Sequence, residues 1–117
     1  LHMYSYIGKS EITELIQSYR KGIIIENVVT NDIDEYINSL FAILRNNGIN
    51  INIFTQAKIK RITNKGSVNH KYKYIILLTI RKDSKISIKE YENVEKCIQN
   101  IVPCKTIQEW MKAKYLR

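Results

Sequence analysis

Cysteine, proline and glycine are scarce in this sequence of 117 residues, which contains two, one and four of them respectively. The two cysteines, Cys97 and Cys104, are too few for the disulfide framework of a small secreted domain, and their separation is not a zinc or redox spacing. So little proline and glycine, together with 44% hydrophobic residues, excludes collagen-like, linker-like and disordered chains. We therefore expect a folded intracellular protein with reduced thiols, of the cytoplasm or of the nucleus or nucleoid, and not secreted.

Long apolar runs are absent as well. No run approaches the roughly 18 residues that a membrane span needs, and residues 75–78 are bounded by Tyr74 and Thr79 with lysines just outside. No secretory signal is visible at the start of the chain. The length fits one folded domain around a single core, and we predict no membrane partner.

Acidic residues are missing altogether from residues 55–82, although the chain contains 11 of them. This stretch carries a net charge of +8, whereas residues 1–54 carry −2 and residues 83–117 carry +2. The basic side chains of the stretch are Lys58, Lys60, Arg61, Lys65, Lys71, Lys73, Arg81 and Lys82. A field of one sign concentrated in this way indicates a polyanion as partner.

The first half of the chain shows alternating strand and helix patterns. Residues 4–7 read as a short strand, and a helix follows from the expected N-cap Ser10 to Gly22, which we expect to be its C′ residue. The β-branched residues from 23 to 29 show little alternation, which is typical of a strand that is covered on both faces or lies centrally. A second helix is predicted between a cap at Thr30 or Asn31 and the stop at residues 47–48, and its apolar positions are Ile33, Tyr36, Ile37, Leu40, Phe41 and Leu44.

From Ile51 the apolar period changes to two. Two long antiparallel strands are predicted, with these basic residues on the outer face of the hairpin: Lys58, Lys60, Lys71, Lys73 and Arg81. Capping boxes at residues 87–90 and 106–109 open two further helices, the first with these residues inward: Ile88, Tyr91, Val94, Ile98 and Ile101. The predicted fold is an α/β two-layer sandwich of order β-α-β-α-β-β, with a four-stranded mixed sheet, helices on one face and additional C-terminal helices.

Four segments of the chain resemble the Alba family of small basic nucleic-acid-binding proteins. They are Tyr6-Ile7-Gly8-Lys9, residues 41–48, residues 57–61 and residues 74–82. The resemblance implies an Alba-like nucleic-acid-binding domain at residues 4–83, and the family also supplies subunits of RNase P and RNase MRP. It implies that Lys9 and the basic hairpin bind nucleic acid and that the chain forms a dimer. Residues 84–117 are then a C-terminal helical extension that packs on the same domain or on a partner.

We accordingly predict a non-enzymatic protein that binds RNA or DNA through the phosphate backbone with weak sequence specificity. The expected binding residues are Lys9, Lys58, Lys60, Arg61, Lys65, Lys71 and Lys73. No cofactor and no metal is expected. The wide apolar stripe of the second helix, which includes Ile43, favours a homodimer or a heterodimer with an Alba-like partner. The alternative is an assembly subunit of a ribonucleoprotein that binds little nucleic acid itself and docks a partner on Trp110, Met111 and Tyr115.

Several other side chains have two interpretations. His70 could contact a base or a metal, but an exposed loop residue is the simpler interpretation. Tyr72 and Tyr74 could stack on bases, although their register with the apolar positions of the strand favours packing. The acidic group of Asp32, Asp34 and Glu35 could suggest metal ligands, but acids in a first helical turn are ordinary dipole partners.

Enzymatic interpretations find little support in the residue types. A Tyr91 nucleophile of the rolling-circle type needs a metal-holding pair of histidines, and beyond residues 1–3 the chain contains only one. A nucleophile at Cys97 or Cys104 needs a histidine base, and nothing in the sequence places one there. A phosphate-binding glycine loop is absent too.

Overall fold

The structure, a computed structural model, describes residues 4–8, 11–19, 21–62 and 71–115. Lys9, Lys65 and His70 therefore lie outside the described residues. The elements are β1 (Tyr4–Tyr6), α1 (Glu11–Ser18), β2 (Gly22–Thr30), α2 (Ile33–Asn46), a 3₁₀ turn (Ile51–Ile53), β3 (Ala57–Ile62), β4 (Tyr72–Thr79), α3 (Ile88–Ile101), β5 (Lys105–Thr106) and α4 (Ile107–Tyr115). The predicted order β-α-β-α-β-β is confirmed for the first six regular elements, and an α-β-α segment follows.

The five strands form one mixed sheet in the order β1-β3-β4-β2-β5. β1 runs parallel to β3, and the other neighbours are antiparallel. The prediction of four strands was wrong because β5 contains only two residues, which is too short to show any alternation. Lys105 and Thr106 pair with Ile24 and Ile23, so β5 extends the sheet beyond β2.

Helices cover both faces of the sheet, so the two-layer arrangement was also wrong. α2 and α3 pack on one face, here called the major face, against side chains that include Ile23, Ile25 and Ile76. α1 and α4 pack on the opposite face, the minor face, where Ile24 and Leu77 are fully buried. Consecutive apolar residues in β2 and β4 point alternately to the two faces. Burying both sets therefore requires a helical layer on each side.

Side-chain caps fix where the helices begin. The Oδ1 atom of Asp32 accepts a hydrogen bond from the Glu35 backbone N–H at 3.1 Å and caps α2. The prediction of Thr30 or Asn31 was wrong because the Thr30 hydroxyl instead bonds backbone atoms of Asp32. The predicted caps Ser87 and Thr106 are confirmed, since their hydroxyls accept from the backbone N–H groups of residues 90 and 109 at 3.1 Å each. The reciprocal bond of a capping box forms at Thr106, whose N–H donates to the Glu109 carboxylate at 3.3 Å, whereas Glu90 accepts from the Ser87 hydroxyl.

Some local predictions fail where tertiary contacts replace the local pattern. Gly22 does not end α1, which stops at Ser18; it begins β2 and is buried there. Ile51–Ile53 form a 3₁₀ turn rather than the start of the third strand. Ile88 is 72% exposed, because it lies in the first turn of α3 outside the stripe that meets the sheet.

The apolar stripe of α2 is covered by its own chain. Its buried residues are Ile33, Ile37, Leu40, Phe41 and Leu44. Tyr36 is half-buried, and Ile43 is 39% exposed. The surplus apolar surface that favoured a dimer is therefore mostly used within the fold, and dimer formation stays a prediction.

Residues from the C-terminal segment belong to both cores. Tyr91, Val94 and Ile98 of α3 are buried with the major-face residues. Ile107 of α4 is buried on the minor face. The described part of residues 84–117 thus packs on the sheet, and the division of the chain at residue 83 into two functional parts stays a prediction.

Candidate nucleic-acid interface

Three of the lysines predicted to bind nucleic acid lie on the minor face of the sheet. In the pairing of β3 with β4, Lys58 lies opposite Leu77, Lys60 opposite Ile75, and Ile62 opposite Lys73. Directly paired residues point to the same face of a sheet, and Leu77 is part of the minor-face core. Lys58, Lys60 and Lys73 therefore share that face, as their alternation with apolar residues indicated.

The two minor-face helices leave the hairpin end of this face partly open. Val29 of β2, which pairs with Lys73, is 54% exposed. Ile62 and Ile75 are half-buried. We use the name basic face for this surface, formed by Lys58, Lys60 and Lys73 with Val29, Ile62 and Ile75. It presents separated positive charges on an apolar background.

Sequence reasoning did not identify Val29 as part of this surface. β2 contains a register shift between Ile25 and Val28, and Asn27 has a φ of +59° within it. The extra residue of such a bulge changes which face the following side chains reach. The sequence feature that could have revealed the bulge is the polar pair Glu26-Asn27 inside a β-branched run, because asparagine tolerates the left-handed conformation.

Arg61 does not join the basic face. It pairs with Tyr74, whose side chain is buried in the major-face core. Its guanidinium lies 4.7 Å from the ring centroid of Tyr72, a cation–π distance. The packing interpretation of Tyr74 is confirmed, while Tyr72 is half-buried beneath Arg61. Lys71 is exposed just before β4 begins.

Two acidic residues, one in β2 and one in the first turn of α2, have partners among the described residues. Glu26 forms an ion pair with Lys105 at 3.9 Å. Asp34 accepts a hydrogen bond from the Tyr4 hydroxyl, which raises the pKa of Tyr4 to about 12. Within the part of the chain that the structure describes, no three His, Cys, Asp or Glu side chains are grouped so that they could hold a metal ion. Asp32 caps α2, and Asp34 and Glu35 lie in its first turn, where the helix dipole favours acids.

The other basic residues of the 55–82 stretch lie at the far end of β4. Arg81 and Lys82 follow that strand, whose eight residues extend about 26 Å at roughly 3.3 Å per residue. Arg81 forms an ion pair with Asp83 at 2.9 Å, and this contact lowers the pKa of the Asp83 carboxyl. Arg81 and Lys82 therefore lie beyond the last residue of β4, whereas Lys60 and Lys73 lie nearer the hairpin and Lys58 lies between them, opposite Leu77.

Two side chains considered as nucleophiles, Tyr91 and Cys104, are buried and half-buried respectively. The buried Tyr91 hydroxyl accepts from the Gly22 N–H at 3.0 Å and donates to the Gly22 carbonyl at 3.2 Å. Burial raises the pKa of Tyr91 to about 12. Burial also raises the pKa of the half-buried Cys104 thiol, whereas an activated thiol has a lowered one.

Two of the three partner-docking residues of the alternative hypothesis pack within the chain. Trp110 and Met111 are half-buried and pack against the minor-face core. The side chain of Tyr115 lies outside the described part.

Among the described residues, no helix is long and apolar enough to cross a bilayer.

No family model, curated protein or solved structure matches this chain.

Proposed function

We propose that this protein binds the phosphate backbone of RNA or DNA, without catalysis and with weak sequence selectivity, through its basic face. The observation that carries the proposal is the placement of Lys58, Lys60 and Lys73 on one partly open sheet face. They belong to a 28-residue stretch that contains no acidic residue. Among the described residues, neither Lys58 nor Lys73 forms an ion pair.

The chemistry of these groups favours phosphate contacts. A lysine ammonium is a compact point charge that attracts phosphate oxygens and lacks the planar fork with which arginine recognises guanine. Each neutralised phosphate releases condensed counterions, which provides affinity that does not depend on sequence. The exposed Val29 and its half-buried neighbours offer apolar contact to sugars and bases.

The proposal depends on the charge arrangement rather than on the Alba resemblance. The two-layer, four-stranded arrangement predicted from the sequence is not the one observed, since this chain has helices on both faces and five strands. Lys9 and Lys65 remain proposed contacts on the strength of the sequence, and Lys71 is an exposed neighbour of the basic face.

The test is a charge-reversal variant, Lys58→Glu with Lys60→Glu and Lys73→Glu. A matched control reverses Lys89, Lys96 and Lys112, which are exposed on α3 and α4. Both variants have the same net charge, so a difference between them reports position. Circular dichroism melting checks that each variant is folded.

Fluorescence anisotropy titrations would use single-stranded RNA, duplex RNA and duplex DNA at several salt concentrations between 50 and 200 mM. The basic-face variant should lose at least tenfold in affinity at about 50 mM salt. The slope of log K against log salt should flatten by about 2 to 3, because three phosphate contacts are lost. Equal losses in both variants, or no binding of any oligonucleotide by the unmodified protein, would contradict the proposal.

A further inference from the structure

A second basic surface lies at the end of the sheet opposite the hairpin. A groove of about 560 Å³ runs between the end of α1 and the segment that joins β4 to α3. Three cationic side chains line it, namely Lys21, Arg81 and Lys82. Along β4, Lys73 of the basic face lies about 26 Å from Arg81, and Leu77, which pairs with Lys58, lies about 13 Å from it, at roughly 3.3 Å per residue.

Aromatic rings hold two of these cations in place. The Lys82 Nζ atom lies 5.9 Å from the ring centroid of Tyr19, and the Lys21 Nζ atom lies 5.7 Å from that of Tyr91. Both separations are within cation–π range. In the described part of the chain, neither ammonium is ion-paired with a carboxylate. Their charges are thus positioned by uncharged groups and are not neutralised.

The third cation is neutralised by its neighbour. Two hydrogen bonds, at 3.1 and 2.9 Å, join the Arg81 guanidinium to the Asp83 carboxylate. The end of α1 adds roughly half a negative charge from its terminal carbonyl groups. These negative contributions do not cancel the three cations, so the groove has a net positive field.

The remaining lining suits a small polar ligand. Ser84 contributes a half-buried hydroxyl, and Ile80 and Ile86 supply an apolar wall. A concave site of this volume is within the range of small-molecule pockets, where a few polar groups orient a ligand against apolar walls. An anion with several acceptor oxygens suits a groove whose lining includes two ammonium groups.

We propose that this groove is a binding site for a phosphate-bearing ligand with two linked phosphate groups. The phosphates contact Lys21 and Lys82, and Arg81 supplies a further donor. The shared chemistry is the phosphate group, which can belong to a free phosphorylated small molecule or to the backbone of a bound nucleic acid. The proposal does not depend on the function assigned to the basic face.

The experiment is calorimetric titration of the full chain with inorganic pyrophosphate at about 50 mM salt. The test variant combines Lys21→Met with Lys82→Met, and a control with the same net charge combines Lys89→Met with Lys96→Met. We expect saturable binding by the unmodified protein, at least a tenfold loss in the test variant, and less than a twofold change in the control. The variant reversed at Lys58, Lys60 and Lys73 should retain pyrophosphate binding if it binds in this groove.

The competing explanation is that Lys21 and Lys82 only stabilise the end of α1. In that case the test variant would melt at a lower temperature and bind pyrophosphate as well as the control, which would overturn the proposal. Absence of saturable binding up to 10 mM pyrophosphate would also overturn it. A final titration adds single-stranded RNA: displacement of pyrophosphate assigns the phosphates to a nucleic-acid backbone, and simultaneous binding assigns them to a free small molecule.

Discussion

Gly22 lies at a contact among three parts of the fold, and its replacement by alanine should be costly. A Cβ atom added there would lie 2.8 Å from the carbonyl oxygen of Leu78 in β4 and 2.6 Å from the Cδ1 atom of Ile107 in α4. The Ile107 methyl is the end of a flexible side chain and can move. The Leu78 oxygen belongs to the backbone of a central strand, so the sheet itself would have to shift.

The size of the effect follows from two opposing contributions. Forcing a methyl group into a packed interior costs about 1–3 kcal/mol. Alanine also restricts the unfolded chain, which returns about 0.4–1 kcal/mol. We expect the Gly22→Ala variant to have a free energy of unfolding about 1–2 kcal/mol lower than the unmodified protein. For a domain of this size that corresponds to a decrease in Tm of about 4–8 °C.

Urea unfolding followed by circular dichroism measures this difference, and Ile107→Val separates the two contacts. The valine variant removes the Cδ1 atom and costs about 0.5–1.5 kcal/mol by itself. If the contact with the Leu78 oxygen causes most of the Gly22→Ala loss, the losses in free energy of unfolding of the two single variants should sum to that of the double variant within about 0.5 kcal/mol. A Gly22→Ala protein as stable as the unmodified one would refute the reasoning, and full recovery in the double variant would assign the cost to Ile107 instead.

Three further outcomes follow from individual contacts. Tyr91→Phe should lower the free energy of unfolding by about 1–3 kcal/mol in urea titrations, because it leaves the buried N–H and carbonyl of Gly22 without their partner; an unchanged midpoint would contradict this. Because the pKa of Tyr91 is raised to about 12, the folded state retains a proton that the unfolded tyrosine loses near pH 10. Stability should therefore fall as the pH rises from 10 to 12, and less steeply in Tyr91→Phe, as measured by melting temperature across that range. Asp32→Ala should lower the free energy of unfolding by about 0.5–2 kcal/mol, because it removes the α2 cap. Asp32→Asn retains an acceptor and should recover most of that loss. Equal losses in the two variants would show that the cap is not the cause.

The sequence by itself determined the elements that depend on local interactions. The helix caps at Ser87 and Thr106 and the stop of α2 near Gly48 involve residues within a few positions of one another. Alternation in β3 correctly placed Lys58 and Lys60 opposite the inward residues, because successive strand side chains point to opposite faces.

Tertiary structure alone decided how those elements combine. Alternation tells which residues share a face, but it does not tell whether a helix covers that face. The consecutive isoleucines Ile23 to Ile25 predicted a strand that is covered on both faces or lies centrally, without deciding between the two. The α4 helix that helps cover the minor face is more than eighty residues away in the chain. The same long-range pairing added β5, made Gly22 necessary for steric reasons and separated the basic stretch into two surfaces. These features depend on contacts between residues far apart in sequence, whose geometry local patterns do not encode.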